Sequence, residues 1–399
     1  MRAFLSSVWN WLKTNFPKVE VFLLFALVTV AGFALRISLF NIRSGDYNSF
    51  LVKWFDGIKE NGGFKALGIS FGDYTPAYYY ILAFLTYLPV NSLYSIKAVS
   101  CIFDMLLAVF TALCVKELTK NKTLCLCAYA TAFLLPTVFL NSAWWAQCDS
   151  IFTAFCTASL YCLLRDKKYA SVILYGVAFS FKLQAIFIAP LFAVLWFKRK
   201  IPLLSPLYIL GVYFLFCIPA WIAGQPLSDL LTVYFYQAGE YIRLTLNAPT
   251  FAALLGNIQQ NSWNIISTTL VIFTLCLTVL AMYLCGRKAE WKKESVIDFA
   301  LLFALGVTFF LPRMHERYFY LADLIAIVYA FARPKRAYTA LLTQFCSFYA
   351  IARFLFGASY LSLEFVALVQ LINLVLLCVA LIKEYKKPIF VALEEGENG

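Results

Sequence analysis

Twelve apolar runs of 14 to 24 residues recur along this chain, at 19–40, 93–115, 123–141, 145–164, 169–182, 184–197, 202–223, 263–286, 295–311, 317–332, 337–357 and 361–382. One globular core cannot hide that many. Of the 399 residues, 62% are hydrophobic and 14% charged, against roughly 45–50% and about 25% in soluble domains. The excess excludes a water-soluble enzyme and places the chain in a lipid bilayer. The expected fold is an all-α polytopic membrane protein of about 12 (11–14) transmembrane helices, built as a single integral membrane domain over residues 1–399.

The net charge of +12 reads as a topology signal and not as a nucleic-acid footprint. Lys and Arg gather at seven places: Arg2/Lys13/Lys18, Lys116/Lys120/Lys122, Arg165/Lys167/Lys168, Lys198/Arg199/Lys200, Arg287/Lys288/Lys292/Lys293, Arg333/Lys335/Arg336 and Lys383/Lys386/Lys387. The positive-inside rule puts all seven in the cytoplasm, together with both termini. The twelve runs then alternate without conflict, provided that the tyrosine-rich run 74–90 does not cross. That run reads as an interfacial or re-entrant helix, with a true crossing as the alternative. The basic residues 1–18 precede an apolar run without a small-residue cleavage site, which reads as a retained signal anchor. The twelve Cys lie mostly inside apolar runs and form no CxxC, so they read as helix-packing residues and not as a disulfide framework or zinc site. The acidic tail Glu394, Glu395, Glu397 reads as disordered.

Two runs are conspicuously short. Residues 169–182 and 184–197 make helices of about 21 Å each at 1.5 Å per residue, against a hydrocarbon core of ~30 Å. Their shared tip, Lys182-Leu183-Gln184, is expected to lie below the outer surface, in a water-filled pocket or beside an anion.

Four groups of polar residues share that outer side. Asp46 precedes Tyr47–Glu60, where Phe50, Trp54, Phe55 and Ile58 recur at near-helical spacing. This predicts an amphipathic juxtamembrane helix lying on the membrane in the first outer loop. Asp46 is either its capping residue or a carboxylate held at the water–lipid boundary. Asp149 follows Trp144-Trp145-Ala146-Gln147 at the start of another span, with helix capping again the plain alternative. Gln147 and Asp149 are expected to face one cavity mouth. The densest cluster is Pro312-Arg313-Met314-His315-Glu316-Arg317-Tyr318, with the only His of the chain. Arg313, His315 and Arg317 suit a phosphate, with Glu316 orienting one of them. Lys182 and Arg243 add further cations. Asp104, Asp298, Asp323, Arg353 and Glu364 lie in or near apolar runs, where partners are expected but not assignable. A glycine-rich nucleotide loop and an HExxH motif are lacking in the sequence. Nucleotide triphosphates are cytoplasmic, so an enzyme working on this face needs an activated substrate carried in the membrane. A polyprenyl-phosphate-linked sugar has a tail for apolar walls and a phosphate for the cations.

Several motifs then match a family. They are Gly45-Asp46-Tyr47 with Trp54, Asp73-Tyr74-Thr75-Pro76-Ala77-Tyr78-Tyr79, Trp145-Ala146-Gln147-Cys148-Asp149-Ser150, Phe181-Lys182-Leu183-Gln184 with Pro190, Leu246-Asn247-Ala248-Pro249, and Leu311-Pro312-Arg313-Met314-His315-Glu316-Arg317-Tyr318. Over residues 20–330 the chain resembles GT-C-fold glycosyltransferases that use polyprenyl- or dolichyl-phosphate sugars, above all the bacterial proteins related to the second GPI-anchor mannosyltransferase. The resemblance implies a GT-C-like core module over 19–200, followed by C-terminal helices over 201–399 with an outer loop at 224–262. It implies that Asp46 is the catalytic base, that Asp149 is the second acidic position, and that His315 and Arg317 lie at the donor phosphate. Lys182, Gln184, Arg243, Arg313, Glu316, Tyr318, Tyr74 and Gln147 complete the expected substrate-binding set. The implied partners are a polyprenyl-phosphate-linked sugar (mannose or another hexose), a glycan, lipid or protein acceptor, and membrane lipid, with no nucleic acid. No cofactor is expected, with a divalent cation shared by Asp46 and Asp149 as the alternative; two aspartates alone are a poor divalent-cation set. The implied location is a bacterial cytoplasmic membrane, or else the ER, with an extracytoplasmic site. The rival readings are a secondary transporter of a small polar or anionic solute, working through Asp104, Asp323 and Arg353, and a non-catalytic membrane scaffold.

Overall fold

The computed structural model describes residues 2–256, 258–287 and 291–385. Lys288, Lys386 and Lys387, and the acidic tail with Glu394, Glu395 and Glu397, lie outside the described residues. The described chain is predominantly helical. Two two-residue strands, Thr245–Leu246 and Met314–His315, are its only sheet.

The count of about twelve spanning helices does not hold. Among the described residues, six helices are long and apolar enough to cross a bilayer: Glu20–Ser38, Ser92–Thr119, Ser205–Ile222, Gln260–Gly286, Tyr338–Phe356 and Leu363–Tyr385. A seventh arises if Lys122–Phe133 and Pro136–Trp144, bent by 43° at their junction, form one span. Pro136 explains the break, because the residue before a proline is driven out of helical geometry and Leu135 is extended. Four more of the apolar runs form the shorter helices Asp149–Leu164, Lys168–Phe181, Leu183–Phe197 and Tyr320–Ala332. The remaining run forms Lys293–Phe310, which carries Lys293, Glu294 and Asp298 within 18 residues. Hydropathy registers apolar length alone, so it counts a short buried helix as readily as a spanning one. The tyrosine-rich run is a ten-residue helix, Pro76–Leu85, about 15 Å long and too short to cross.

The centre of the fold is one of the short helices. Residues Tyr320 to Tyr329 are all buried, enclosed by Ser92–Thr119, Lys122–Phe133, Asp149–Leu164, Lys293–Phe310 and Tyr338–Phe356. A helix apolar on every side but for one hydrogen-bonded carboxyl, Asp323, belongs inside the bundle. The core around it runs from Leu107 to Leu381.

Charges within this core are partnered. Arg36 and Asp104, both fully buried, form an ion pair at 2.8 Å. Lys97, also buried, donates to the carbonyls of Leu39, Phe40 and Ile42 at 3.0, 3.2 and 2.6 Å, in the turn that follows the first helix. Asp298 pairs with Arg333 at 3.0 Å, and Asp323 accepts from the Ser347 hydroxyl at 2.7 Å.

The amphipathic segment is helical, as its spacing predicts, with a π turn at Tyr47–Leu51 leading into Val52–Glu60. Its apolar stripe does not rest on lipid, however. Trp54, Phe55 and Ile58 are buried, and the Trp54 ring lies 5.1 Å from Tyr74 and 5.7 Å from Tyr79. Phe50, half exposed, is what the segment offers outward.

The helix Ser92–Thr119 is about 42 Å long and orders the molecule end to end. At its start the Ser92 hydroxyl meets that of Tyr47 at 2.8 Å. At its far end Glu117 binds Lys120, Arg165 and Lys293 at 2.7, 3.3 and 2.5 Å. Three of the seven basic clusters therefore meet on one carboxylate, at the end opposite Asp46.

Candidate functional site

At the Asp46 end the structure encloses a cavity of about 360 Å³. Its walls come from the loop after the first helix, the break between the two short helices at Lys182, the segment 237–247 and the segment 315–318.

Asp46 reaches the cavity because another residue caps its helix. The Ser44 hydroxyl accepts from the Tyr47 amide at 3.1 Å and donates to the Trp145 carbonyl at 2.6 Å. The Asp46 side chain makes no capping bond. Its Oδ2 accepts from Trp145 Nε1 at 2.9 Å and from Gln147 Nε2 at 2.6 Å. Both donors sit on one carboxylate oxygen, which leaves Oδ1 for a ligand.

The turn that supplies those donors is tightly wound. A π turn covers Leu140–Trp144, and Ala146 has φ +67°, a left-handed conformation rarely held by a residue with a Cβ. It is closed by bonds from the Gln147 amide to the Asn141 carbonyl at 2.9 Å and from the Ala146 amide to the Ser142 carbonyl at 3.1 Å. The effect is to aim Gln147 forward at Asp46 and Asp149 backward.

Asp149 does not line the cavity. It is 1% exposed and stands behind the wall. Oδ1 binds Lys182 Nζ, and Oδ2 accepts from Asn141 Nδ2 at 2.8 Å and lies 3.5 Å from Arg317 Nε. At the first turn of its helix the carboxylate also gains from the helix dipole. It is a counter-anion that gathers two cations at one wall, where sequence alone expected it at the mouth with Gln147. Both of its oxygens are engaged within the protein. Among the described residues, His, Cys, Asp and Glu form no group of three or more suited to a metal.

Lys182 ends one helix in an extended conformation before the turn Leu183–Ile188 begins. It is 7% exposed, borders the cavity and lies 5.6 Å from the Tyr74 ring centroid. Lys182 at the tip between the two short runs is thus buried beside an anion, Asp149, and borders a cavity. Arg317 also binds Glu316 Oε1 at 3.1 Å, and its guanidinium lies over the Trp145 ring at 5.1 Å.

The segment 313–316 is stitched to the long loop. Thr245–Leu246 pairs in parallel with Met314–His315, flanked by bonds from the Arg313 amide to Leu244 O at 2.8 Å and from the Glu316 amide to Leu246 O at 3.0 Å. Arg313 turns away from the cavity, and its guanidinium donates to the Ala238 carbonyl at 3.0 Å. Its φ of +63° and these bonds make it part of the stitching.

Of the twelve residues singled out from sequence, the structure brings ten to one cavity: Asp46, Tyr74, Gln147, Lys182, Gln184, Arg243, His315, Glu316, Arg317 and Tyr318. Gln237 and Tyr241 also line it and escaped the sequence reading, whereas Asp73 and Asn247, also in the lining, stood in the quoted motifs without a role of their own. Gln237 sits near the end of the helix Leu227–Gly239 and Tyr241 just beyond it, and no local sequence signal marks either for the cavity.

Electrostatics within the site departs from the sequence picture. Burial, with the positive charges of Arg317 and Lys182, pushes His315 down to about 3. The imidazole is therefore neutral at physiological pH and offers one N–H in place of a charge. Burial lifts Glu316 to about 7 against the pull of Arg317, so its charge changes near neutrality. Comparison with protein-family models and with curated proteins finds no match to this chain.

Proposed function

We propose that the chain is an integral-membrane inverting glycosyltransferase that moves a hexose, such as mannose, from a polyprenyl-phosphate donor to an acceptor hydroxyl on a glycan, lipid or protein. The observation that carries this reading is the single cavity in which Asp46, with one free carboxylate oxygen, faces a wall bearing Lys182, Arg243 and Arg317. In the reaction, Asp46 Oδ1 takes the proton of the acceptor hydroxyl. The acceptor oxygen attacks the anomeric carbon as the bond from that carbon to the phosphate oxygen breaks. Polyprenyl phosphate leaves with the bonding electron pair, and the anomeric configuration inverts once. General-base help of this kind is worth ~10²–10⁴-fold, and cations fixed beside the departing phosphate stabilise the charge that builds there. Gln147, Gln184, Tyr74 and Tyr318 offer hydrogen bonds to sugar hydroxyls.

The GT-C-like architecture, the extracytoplasmic placement of the site, cytoplasmic termini and a bacterial plasma membrane (or, second, the ER) belong to the same proposal. The meeting of three basic clusters on Glu117, at the end opposite the cavity, supports that sidedness. The transporter reading draws less support, since Asp104 is engaged by Arg36 and Asp323 accepts from Ser347.

The test is to incubate the purified protein in lipid nanodiscs with a panel of polyprenyl-phosphate hexoses and follow release of the lipid phosphate. Release that depends on Asp46 supports the reading. No release from any donor, or full activity in Asp46→Asn, overturns it.

A further inference from the structure

Trp145 touches both halves of the site. Its Nε1–H donates to Asp46 Oδ2 at 2.9 Å, and its ring lies beneath the Arg317 guanidinium at 5.1 Å. The indole is fully buried and stacks on Phe354 at 4.8 Å and 24°. It thus has one orientation, fixed from behind by Phe354 and from the turn by the Ser44 hydroxyl on its carbonyl. A tryptophan near a membrane boundary needs only a wet edge for its N–H. This one is dry and gives its N–H to a carboxylate.

A cation over an indole face draws electron density out of the ring. The N–H becomes a stronger donor, and neighbouring hydrogen bonds polarise one another. With the cavity empty, Arg317 therefore tightens the grip of Trp145 on Asp46. A bound anion neutralises part of the Arg317 charge. The grip then loosens, and Asp46 keeps more of its negative charge for an incoming proton.

We propose that Trp145 is a positioning residue that holds Asp46 by one oxygen and relays the occupancy of the Arg317 anion site to that carboxylate. Its catalytic meaning rests on the reading of Asp46 as base. Its physical content, a coupling between two groups through one indole, does not depend on turnover. Gln147 binds the same oxygen but does not share the contact with Arg317, so it holds without relaying.

The nine tryptophans of the chain give nine indole N–H signals in a proton–nitrogen NMR spectrum of the full-length protein in nanodiscs. The signal missing in Trp145→Phe identifies Trp145. Asp46→Ala is expected to move that signal upfield, as its acceptor is lost. Polyprenyl phosphate added to the wild type is expected to move it upfield too, while the phosphorus signal of the lipid reports binding independently. A Trp145 signal indifferent to Asp46→Ala overturns the proposal. So does one that ignores lipid phosphate shown to be bound, and this leaves the glycosyltransferase reading intact. Lipid phosphate that does not bind removes the reading and the relay together, with the hold on Asp46 still decided by Asp46→Ala. In turnover, Trp145→Phe keeps a ring under Arg317 and loses the N–H. It should lower kcat about tenfold with donor KM within about twofold, in line with one lost hydrogen bond to a charged group. Trp145→Ala should raise KM as well, and equal kcat in Trp145→Phe and wild type overturns the positioning role.

Discussion

Two buried charge clusters in this protein look alike in composition and differ in what they leave free. In the first, Arg36 gives Nε to Asp104 at 2.8 Å, its two terminal nitrogens to the carbonyls of Gly32 and Phe133 at 3.1 and 2.8 Å, and its flat face to the Phe133 ring at 4.0 Å. Ser142 donates to the same Asp104 oxygen at 2.5 Å. Each nitrogen of the guanidinium is engaged, and neither residue borders the cavity. In the second, Asp149 anchors Lys182 and Arg317 from behind, and both cations keep a side toward a cavity of about 360 Å³. A buried charge is therefore no mark of function by itself. What separates the two is unfilled bonding capacity turned toward space a ligand can occupy.

The comparison can be broken most directly at Asp46, on the open side of the second cluster. Asp46→Asn should cut transfer by ~10²–10⁴-fold with an unchanged melting temperature, read from lipid-phosphate release and thermal unfolding. A large loss of stability in this variant would show that the carboxylate serves the fold. The first cluster should respond in the opposite way. Arg36→Met leaves Asp104 buried without its cation and should cost about 3–5 kcal/mol of stability, seen as a much lower unfolding temperature. The paired change Arg36→Met with Asp104→Leu should recover most of it, and persistent loss would point to a role beyond packing.

A milder effect follows from Glu316, whose proton leaves at about 7. Below that pH the neutral acid leaves Arg317 to a phosphate, and above it the carboxylate competes for the guanidinium. Donor KM should therefore rise by ~3- to 10-fold between about pH 6 and pH 8, and Glu316→Gln should flatten the profile. A KM that falls over this range reverses the assignment. The smallest effect belongs at the far end. Lys120 is two-thirds exposed, so Lys120→Ala should change stability by less than ~1 kcal/mol and leave transfer untouched.

Sequence and structure part company for identifiable reasons. The membrane class, the short pair of runs meeting at Lys182 and the polar stretch 312–318 were readable, because hydropathy and charge density are local properties. The number of spans was not. Asp149–Leu164, Lys168–Phe181, Leu183–Phe197 and Tyr320–Ala332 look like spans in composition, yet each has an end at or next to the cavity wall. Their shortness makes the room for it. Asp46 was readable as a candidate but not its release from capping, which depends on the Ser44 hydroxyl. The partner of Asp104 was hidden because Arg36 lies 68 positions away. The turn of Arg313 away from the site was equally hidden, since it follows from pairing with residue 244, in another loop.

The stitch between Thr245–Leu246 and Met314–His315 has a further effect. It splits the long connection after Ser205–Ile222 into a front part, with the helix Leu227–Gly239, Gln237 and Tyr241 at the cavity rim, and a rear part that begins at Ala248. The seam belongs to the cation wall, whereas the front part is bound to the rest chiefly by its ends and a few side chains. Arg243 and Tyr241 tie this part to the wall, the first by bordering the cavity and the second by its edge-on contact with His315 at 4.6 Å. The exposed Phe235 and Tyr236, by contrast, can change in size and polarity without touching Arg317 or Asp46, so in the proposed transferase the outward side of this helix is where acceptor preference can shift.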